Sequence, residues 1–422
     1  MSTGGGTGTM DVLHVTRFAA TESIGGQERY VAELIDAMAR QGVAPGLLHV
    51  RPDRSAVRVT TPDRADSRFR SARAAIERLK PRVVHFHGLD RGTLRVFEGI
   101  RTSGIAMQLT IHQPGDFCRR QDLRRYGEAL CAQGGTRTDC TACKLHHRFG
   151  LPASVGERVA PLVAAAEALA SVDDRDTMRA LLERCARVYA PTKWAARLAT
   201  RRGASPSALR SLPVPSVRFG GSNAPSTSPR LPRGPLRVLY LGRQHPVKGA
   251  HLLIDAVLAD PVLPIELRIV GPEPRFAARS YPRSLRARAA HDPRIHFAEP
   301  APLDGVAKHY AWADVLAVPS VWPEAGPMVV PEAWSQDVPV LASGMVSQRA
   351  LAAKAGGLVE PNTVEAWRDA FRAATQGLPR IPASKAPTFD AVACTVLDGY
   401  REVGALAAAM PDVHRTSARV PR

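Results

Sequence analysis

The 422-residue chain lacks any apolar run approaching the ~20 residues that a membrane-spanning helix needs. Its first ten residues are rich in Gly and Thr and hold no basic patch followed by an apolar stretch, the mark of an export signal. These absences predict a cytoplasmic protein with a disordered leader over residues 1–10, in which Met10 is an alternative start. Aromatic residues are few, at 5%, so the core must be built from the Val, Leu and Ala that dominate the 45% apolar content. Six cysteines in a chain of this length exclude a disulfide scaffold. Lysine is nearly missing: seven lysines stand against 50 arginines, and the formal net charge is +18. Such a charge attracts nucleic acid, an anionic membrane or phosphorylated small molecules. The arginines form no basic block and run through the whole chain, which favours a general compositional bias over a nucleic-acid groove.

What is present is an alternation of short β-type runs and helical stretches. Strands are predicted at 11–16, 46–50, 83–87, 106–112 and 188–192, with a helix over 27–40 after the Gly25-Gly26 turn. Several are continuous apolar runs, as buried parallel strands require. Between Pro213 and Pro235 the composition shifts to Pro, Ser, Gly and Arg without periodicity, which reads as a linker. Strands then resume at 236–242, 266–271, 295–298, 315–320 and 338–343, a spacing suited to βα units. The reading is α/β with two Rossmann-like domains facing a shared cleft: 11–213, which includes a cysteine-rich loop over 113–150, then a linker 214–235, then 236–385. A helix follows near 389–403, within a C-terminal segment 386–410, and residues 411–422 are expected to be loose.

In open α/β sheets ligands sit at the carboxyl ends of the strands, and the informative residues fall there. In the second half they are Gly242-Arg243, Lys248, Gly271-Pro272, and the stretch from Trp322 through Glu324, Gly326, Pro327, Met328 and Val329 to Glu332. Arg243 and Lys248 are placed to neutralise a diphosphate as it becomes a leaving group. Glu324 and Glu332, eight apart across a loop and a helix start, suit the hydroxyls of a sugar ring or a ribose, while the helix start favours phosphate. In the first half the candidates are Gly25, Gly26 and the strand-end His112. His87 is either a cleft residue or a satisfied strand-end histidine, like His85. Tyr310 and Trp312 fit a helix packed on its sheet, and Cys185 and Cys394 fit the core.

Directly after His112 come Cys118, Cys131, Cys140 and Cys143, all within 26 residues and ending in C-x-x-C. Four thiolates satisfy a tetrahedral structural zinc, with an iron–sulfur cluster second and a disulfide pair third. His146 and His147 stand in reserve as ligands. The loop lacks the apolar periodicity that would bury the thiols otherwise.

In this order, Gly25-Gly26, Leu109-Thr-Ile-His112, Gly242-Arg243 with Lys248-Gly249, Ile269-Val-Gly271-Pro272, Trp322 with Glu324/Glu332, and Pro339-Val-Leu-Ala-Ser343 resemble the GT-B glycosyltransferases. The resemblance is to the retaining group called glycosyltransferase family 4, or glycosyl transferases group 1, in its cysteine-loop subset. It spans Asp11 to about Tyr400. It implies a nucleotide-sugar donor, a UDP- or GDP-sugar, on the C-terminal domain and a hydroxyl acceptor (a glycan, a lipid-linked glycan or a small natural product) on the N-terminal one. It also implies that Arg243 and Lys248 contact the donor diphosphate, Glu332 the ribose and Glu324 the sugar. Gly25-Gly26 would lie against the donor, and His112 near the reacting centre. A hexosyl transfer with retention is implied, with no metal required, and a C-terminal helix that crosses back to the first domain. Two stretches depart from the family pattern, Phe297-Ala-Glu299 and Gly344-Met-Val-Ser-Gln-Arg349, and they bear on base or sugar selection. The competing readings are a nucleic-acid-binding protein with a four-cysteine metal module and a catalytically inactive GT-B scaffold that binds a partner. Peripheral contact with the inner face of a membrane is a further expectation from the charge.

Overall fold

The computed structural model describes residues 10–17, 25–49, 57–61, 64–118, 123–126, 129–131, 135–169, 174–216, 231–274, 279–300, 303–347, 349–354, 357–378 and 387–406. The expected leader up to residue 9, most of the linker and the tail from 411 lie outside them.

The first domain is an eight-stranded sheet. Its central strands are β1 (Val12–Thr16), β5 (Val83–His87) and β6 (Ala106–Thr110), flanked by β2 (Pro45–His49), β9 (Arg187–Ala190) and β10 (Leu209–Ser211), all parallel. β1 and β5 are buried along their whole length, which explains why they read as mostly apolar runs whose polar members, His14, Thr16, His85 and His87, are themselves buried. The sequence does not announce β3 (Val57–Thr61) and β4 (Arg64–Phe69), which extend the β2 edge antiparallel. Helix α1 (Gly26–Arg40) buries Tyr30, Val31, Leu34, Ile35, Ala37 and Met38, the stripe of three and four spacings that an amphipathic helix presents to a sheet. Met10, assigned to the leader from sequence, is instead buried in the core and fills the space beside Gly46.

The second domain carries a six-stranded parallel sheet in the order β13-β12-β11-β14-β15-β16. These strands are β11 (Leu236–Leu241), β12 (Ile265–Val270), β13 (Ile295–Ala298), β14 (Val315–Val318), β15 (Val340–Ser343) and β16 (Leu358–Val359). Within the domain that is strand order 3-2-1-4-5-6, whose reversal between its first and fourth strands opens a crevice at their carboxyl ends. In the first sheet the matching reversal falls between β1 and β5.

Helix α14 (Phe389–Glu402) packs on α1 and joins its apolar cluster through Phe389, Val392, Val396, Leu397 and Tyr400. The C-terminal helix therefore returns to the first domain. The two chain crossings run side by side: Ser216 N–H donates to the Pro387 carbonyl at 2.9 Å. Cys394, expected in the core, is exposed on the outer face of α14 and donates to Gln41 Oε1 at 3.3 Å; its neighbour Ala393 takes the buried position.

Candidate active site in the interdomain cleft

A cavity of about 320 Å³ opens between the two switch points. The first domain lines it with Gly25, Gly26, Arg29, Tyr30 and His112, and the second with Gly242, Arg243, Lys248, Gly271, Pro272, Trp322, Glu324, Gly326, Pro327, Met328, Val329 and Glu332. Every residue singled out from the sequence as a donor or catalytic candidate lies on this one wall or the other.

Backbone geometry sets the second-domain wall. Gly271 has φ of +143°, and a Cβ there would meet the Gly242 carbonyl oxygen at 2.0 Å. The two loops are thereby brought into contact, and Gln244 Nε2 donates to the Gly271 oxygen at 3.0 Å. Gly249, at φ +76°, presses against the Pro319 carbonyl at a spacing only glycine permits. This holds Lys248 over the end of β14. There Lys248 Nζ donates to both Glu324 oxygens, at 2.6 and 2.7 Å, and Ser320 Oγ donates to Glu324 Oε1. The loop beneath is pinned by Ser343 Oγ on the Ser320 carbonyl and by Asn362, itself held by Trp367 Nε1. Arg243 is exposed at the cavity mouth, and its charge reaches Glu28 of α1 across the cleft. Burial raises the Glu28 carboxyl, and Arg243 opposes that rise.

Glu332 is fully buried. Its carboxylate accepts from Tyr310 Oη at 3.0 Å and pairs with Arg29 Nη1 of the first domain at 3.0 Å. Burial lifts the Glu332 carboxyl, and Arg29 and the Tyr310 hydroxyl pull it down. The residue expected at a ribose is thus also the anchor of an ion pair between domains. Arg29 and Tyr310 were not assigned to the site from sequence. The signal for Arg29 was its place one turn into the helix that opens at Gly25-Gly26; Tyr310 had none, since its spacing is that of an ordinary core aromatic.

His112 lines the cavity, while His14, His85 and His87 lie fully buried behind it. His87 does not reach the cleft; it hydrogen bonds to His112 and to His14. Burial holds His14 and His112 down at about 3 and lowers His85 and His87 as well. Beside them Asp116 accepts from the backbone N–H of His112 and Gln113, and burial pushes its carboxyl up to about 7.

The four clustered cysteines stand outside the cavity lining. Cys118 follows a 3₁₀ turn (Pro114–Phe117) and Cys131 follows the short strand β8 (Ala129–Leu130). Cys140 and Cys143 ride on helix α4 (Arg137–Phe149), which a Thr136/Asp139 capping box starts. The segment expected to be an aperiodic loop therefore contains a helix. All four thiols are partly buried and unbridged in this structure. Burial raises the Cys140 thiol, Cys118 and Cys131 reinforce this, and Arg175 and Arg202 oppose it. Among the described residues no three of these sulfurs lie within 4.8 Å of one another. His146 Nδ1 is taken by the Leu151 carbonyl at 2.7 Å.

The paired parallel sheets with a common cleft define the GT-B architecture of glycosyltransferases. Residues 235–376, the span of the second domain, match the family model described as Glycosyl transferases group 1. The chain is 32% identical to D-inositol 3-phosphate glycosyltransferase from Corynebacterium glutamicum over 141 residues, 32% of this chain and 34% of that protein. The match spans about a third of that relative's length. Among solved structures, sucrose-phosphate synthase from Thermosynechococcus elongatus is similar with a TM-score of 0.64 at 17% identity, covering 94% of this chain and 99% of the other. The catalytic domain of starch synthase IV from Arabidopsis thaliana, bound to ADP and acarbose, is similar with a TM-score of 0.57 at 12% identity, covering 94% and 99%.

No helix among the described residues is long and apolar enough to cross a membrane.

Proposed function

We propose that this protein is a retaining hexosyltransferase that moves a sugar from a nucleotide-diphosphate sugar, a UDP- or GDP-sugar, to a hydroxyl acceptor. The observation that carries the reading is the convergence of Arg243, Lys248 and Glu324 from one domain on Gly25, Gly26 and His112 from the other, around a single cavity. The group 1 domain supports it, as does the fold shared with a synthase that holds a nucleotide diphosphate. Arg243 and Lys248 take the donor diphosphate, and Lys248 is already aimed by its bonds to Glu324. The C1–O bond to the diphosphate breaks, the acceptor oxygen bonds to C1 from the same face, and its proton passes to the departing phosphate. The protein supplies cationic stabilisation and alignment, and the step needs no metal. Glu324 meets hydroxyls of the sugar. Glu332 meets the ribose once Arg29 shares or releases it.

A thermal-shift panel of UDP, GDP, dTDP and ADP, with and without their sugars, tests this. Saturation at 100 times Kd stabilises by ~2.7 kcal/mol, which a melt resolves. One nucleotide should shift the wild type and leave Arg243→Ala unmoved. Unchanged turnover in both Arg243→Ala and Glu332→Ala would overturn the reading.

The same proposal gives the cysteine cluster a structural zinc. The donor set fits in kind but not yet in spacing: Cys140 and Cys143 share one helical face with Arg175 and Arg202 near, while no three of the four sulfurs lie within 4.8 Å among the described residues, so zinc would have to draw Cys118 and Cys131 in toward them. Removing metal with a chelator should lower the melting temperature without moving the nucleotide shift.

Peripheral membrane contact is favoured by one surface. Helix α5 (Ala153–Leu169) exposes Val155, Val159 and Leu162 on one face beside exposed Phe149, Arg148 and Arg158. Apolar side chains ringed by arginine suit an anionic lipid surface. Vesicles containing phosphatidylglycerol should retain the wild type more than neutral ones do, and Leu162→Asp should release it; equal retention on both vesicle types would remove this contact.

A further inference from the structure

Behind the cavity wall the first domain stacks four histidines from three adjacent strands and their ends. His14 Nδ1 lies 2.9 Å from His87 Nε2, and His87 Nδ1 lies 2.9 Å from His112 Nε2. The three rings form an unbroken chain from the domain interior to the cavity. His85 stands aside from it, with its two nitrogens taken by Tyr400 Oη and Thr110 Oγ1.

Nitrogen atoms of His14, His85 and His87 fall within 4.8 Å of one another, the spacing of a metal triad. The ring planes exclude that use. His85 and His87 are stacked at 4.5 Å with 11° between planes, and His14 and His85 at 24°. A ring nitrogen's lone pair lies in the ring plane, so stacked rings aim theirs side by side and not at one point. The 2.9 Å between His14 and His87 is also shorter than the roughly 3.3 Å that two Zn–N bonds of about 2.05 Å subtend at a tetrahedral centre. It is a hydrogen-bond distance.

Neutral imidazole has one N–H and one bare nitrogen, so a chain of three neutral rings has two concerted arrangements. In one, His14 donates to His87 and His87 donates to His112, which leaves His112 with its proton on Nδ1. In the other every bond reverses, and the inner end of the chain carries an N–H on His14 Nε2. That atom is buried and has no hydrogen-bond partner among the described residues. An orphaned buried N–H is rarer in proteins than an under-used acceptor, so the first arrangement is the stable one.

We propose that His14 and His87 are positioning residues that hold His112 as a neutral tautomer bearing its proton on Nδ1, so that His112 offers the cavity a hydrogen-bond donor for a hydroxyl or phosphate oxygen and not a base. The low proton affinity that burial gives all three rings agrees with a neutral chain. The inference rests on the proposed function only in giving the cavity a sugar or phosphate to receive that donor.

Ring-nitrogen NMR of the full chain, labelled with ¹⁵N-histidine, tests it without requiring turnover. Protonated and bare imidazole nitrogens differ widely in ¹⁵N shift, and the signals lost in His112→Gln identify that residue. The wild type at pH 7 should show His112 with Nδ1 protonated and Nε2 bare. His87→Phe should turn this into a mixture of tautomers, whereas His87→Asn, whose amide N–H replaces Nδ1–H, should keep the wild-type pattern. A wild-type His112 protonated on Nε2, or on both nitrogens, would overturn the proposal, as would a His87→Phe spectrum with the tautomer unchanged. Should His87→Phe fail to fold, the wild-type spectrum decides alone. Absence of any nucleotide shift in the earlier panel would defeat the proposed function and leave this result standing.

Discussion

Arg29 shows how one side chain can join two domains and burden the site at once. It sits a turn into α1 and neutralises a carboxylate that water cannot reach. Replacing it with alanine strands Glu332 with the Tyr310 hydroxyl alone, and losing one partner of a buried pair costs about 3 kcal/mol. The loss in urea midpoint should be larger at pH 8 than at pH 5, where the orphaned carboxyl can take up a proton; an equal loss at both would mean that Arg29 acts through packing. Gly271 makes a second residue-scale case. A methyl group there collides with the Gly242 carbonyl and cannot adopt the +143° φ, so Gly271→Ala should destabilise by more than about 1 kcal/mol and weaken nucleotide binding with it. Gly271 was legible in the sequence as a strand-end glycine. Arg29 was legible only as a basic residue one turn into the helix that opens at Gly25-Gly26, and nothing in the sequence points to Glu332 as its partner.

Elements were legible where burial is continuous and obscure where it is one-sided. β5 and β14 are buried along their whole length and read directly as apolar runs. β3 and β4 pair antiparallel at a sheet edge, where short polar strands resemble loops. Helix α4 was hidden because its thirteen residues include two cysteines and three basic residues in the last turn, with only Thr141, Ala142 and Leu145 buried. Helix α14 is the element whose role depends most on the fold. Its Tyr400 hydroxyl bonds to His85, and Gln108 Nε2 donates to the Gly399 carbonyl at 3.0 Å. Gly399 is required, since a Cβ would meet the Tyr189 hydroxyl at 2.0 Å. Tyr400→Phe leaves His85 Nδ1 unsatisfied in the interior and should cost about 1–2 kcal/mol in urea unfolding. Arg40→Ala removes the exposed pair with Asp390 on the same helix and should cost under about 1 kcal/mol. Reversed magnitudes would mean that α14 is held by its rim and not by its buried face.

At the scale of the molecule, two opposed sets of buried groups, histidines and carboxyls, set how stability follows pH. His14 and His112 are held down at about 3, against roughly 6.5 when unfolded, so the unfolded chain binds protons that the folded one refuses. Their stabilisation is full above pH 6.5 and is lost as pH falls toward 3, and lowered His85 and His87 act in the same direction. Asp116 acts oppositely. Raised to about 7 from roughly 4 in the unfolded chain, it contributes stability at low pH that is lost as pH rises to 7. Glu28, Glu33, Asp90 and Glu332, whose carboxyls burial also raises, act with Asp116, so the histidine share is read by difference: between pH 7 and pH 4 the urea midpoint of the wild type should fall relative to that of His14→Phe, and parallel profiles would contradict the dry histidine stack.

Two parallel-sheet domains, the break between them and the strand-end glycines and charges follow from local pattern, because buried strands, flexible linkers and tight turns each restrict residue type at short range. The sequence by itself therefore determined the architecture and the Arg243, Lys248, Glu324 and Glu332 wall. Only the tertiary structure decided that Glu332 spends its charge on Arg29 some 300 positions away, that His87 serves His112 and not the cleft, and that Tyr400 returns to cover His85. Those pairings join residues far apart along the chain. Their energies come from shared burial, which no single segment contains.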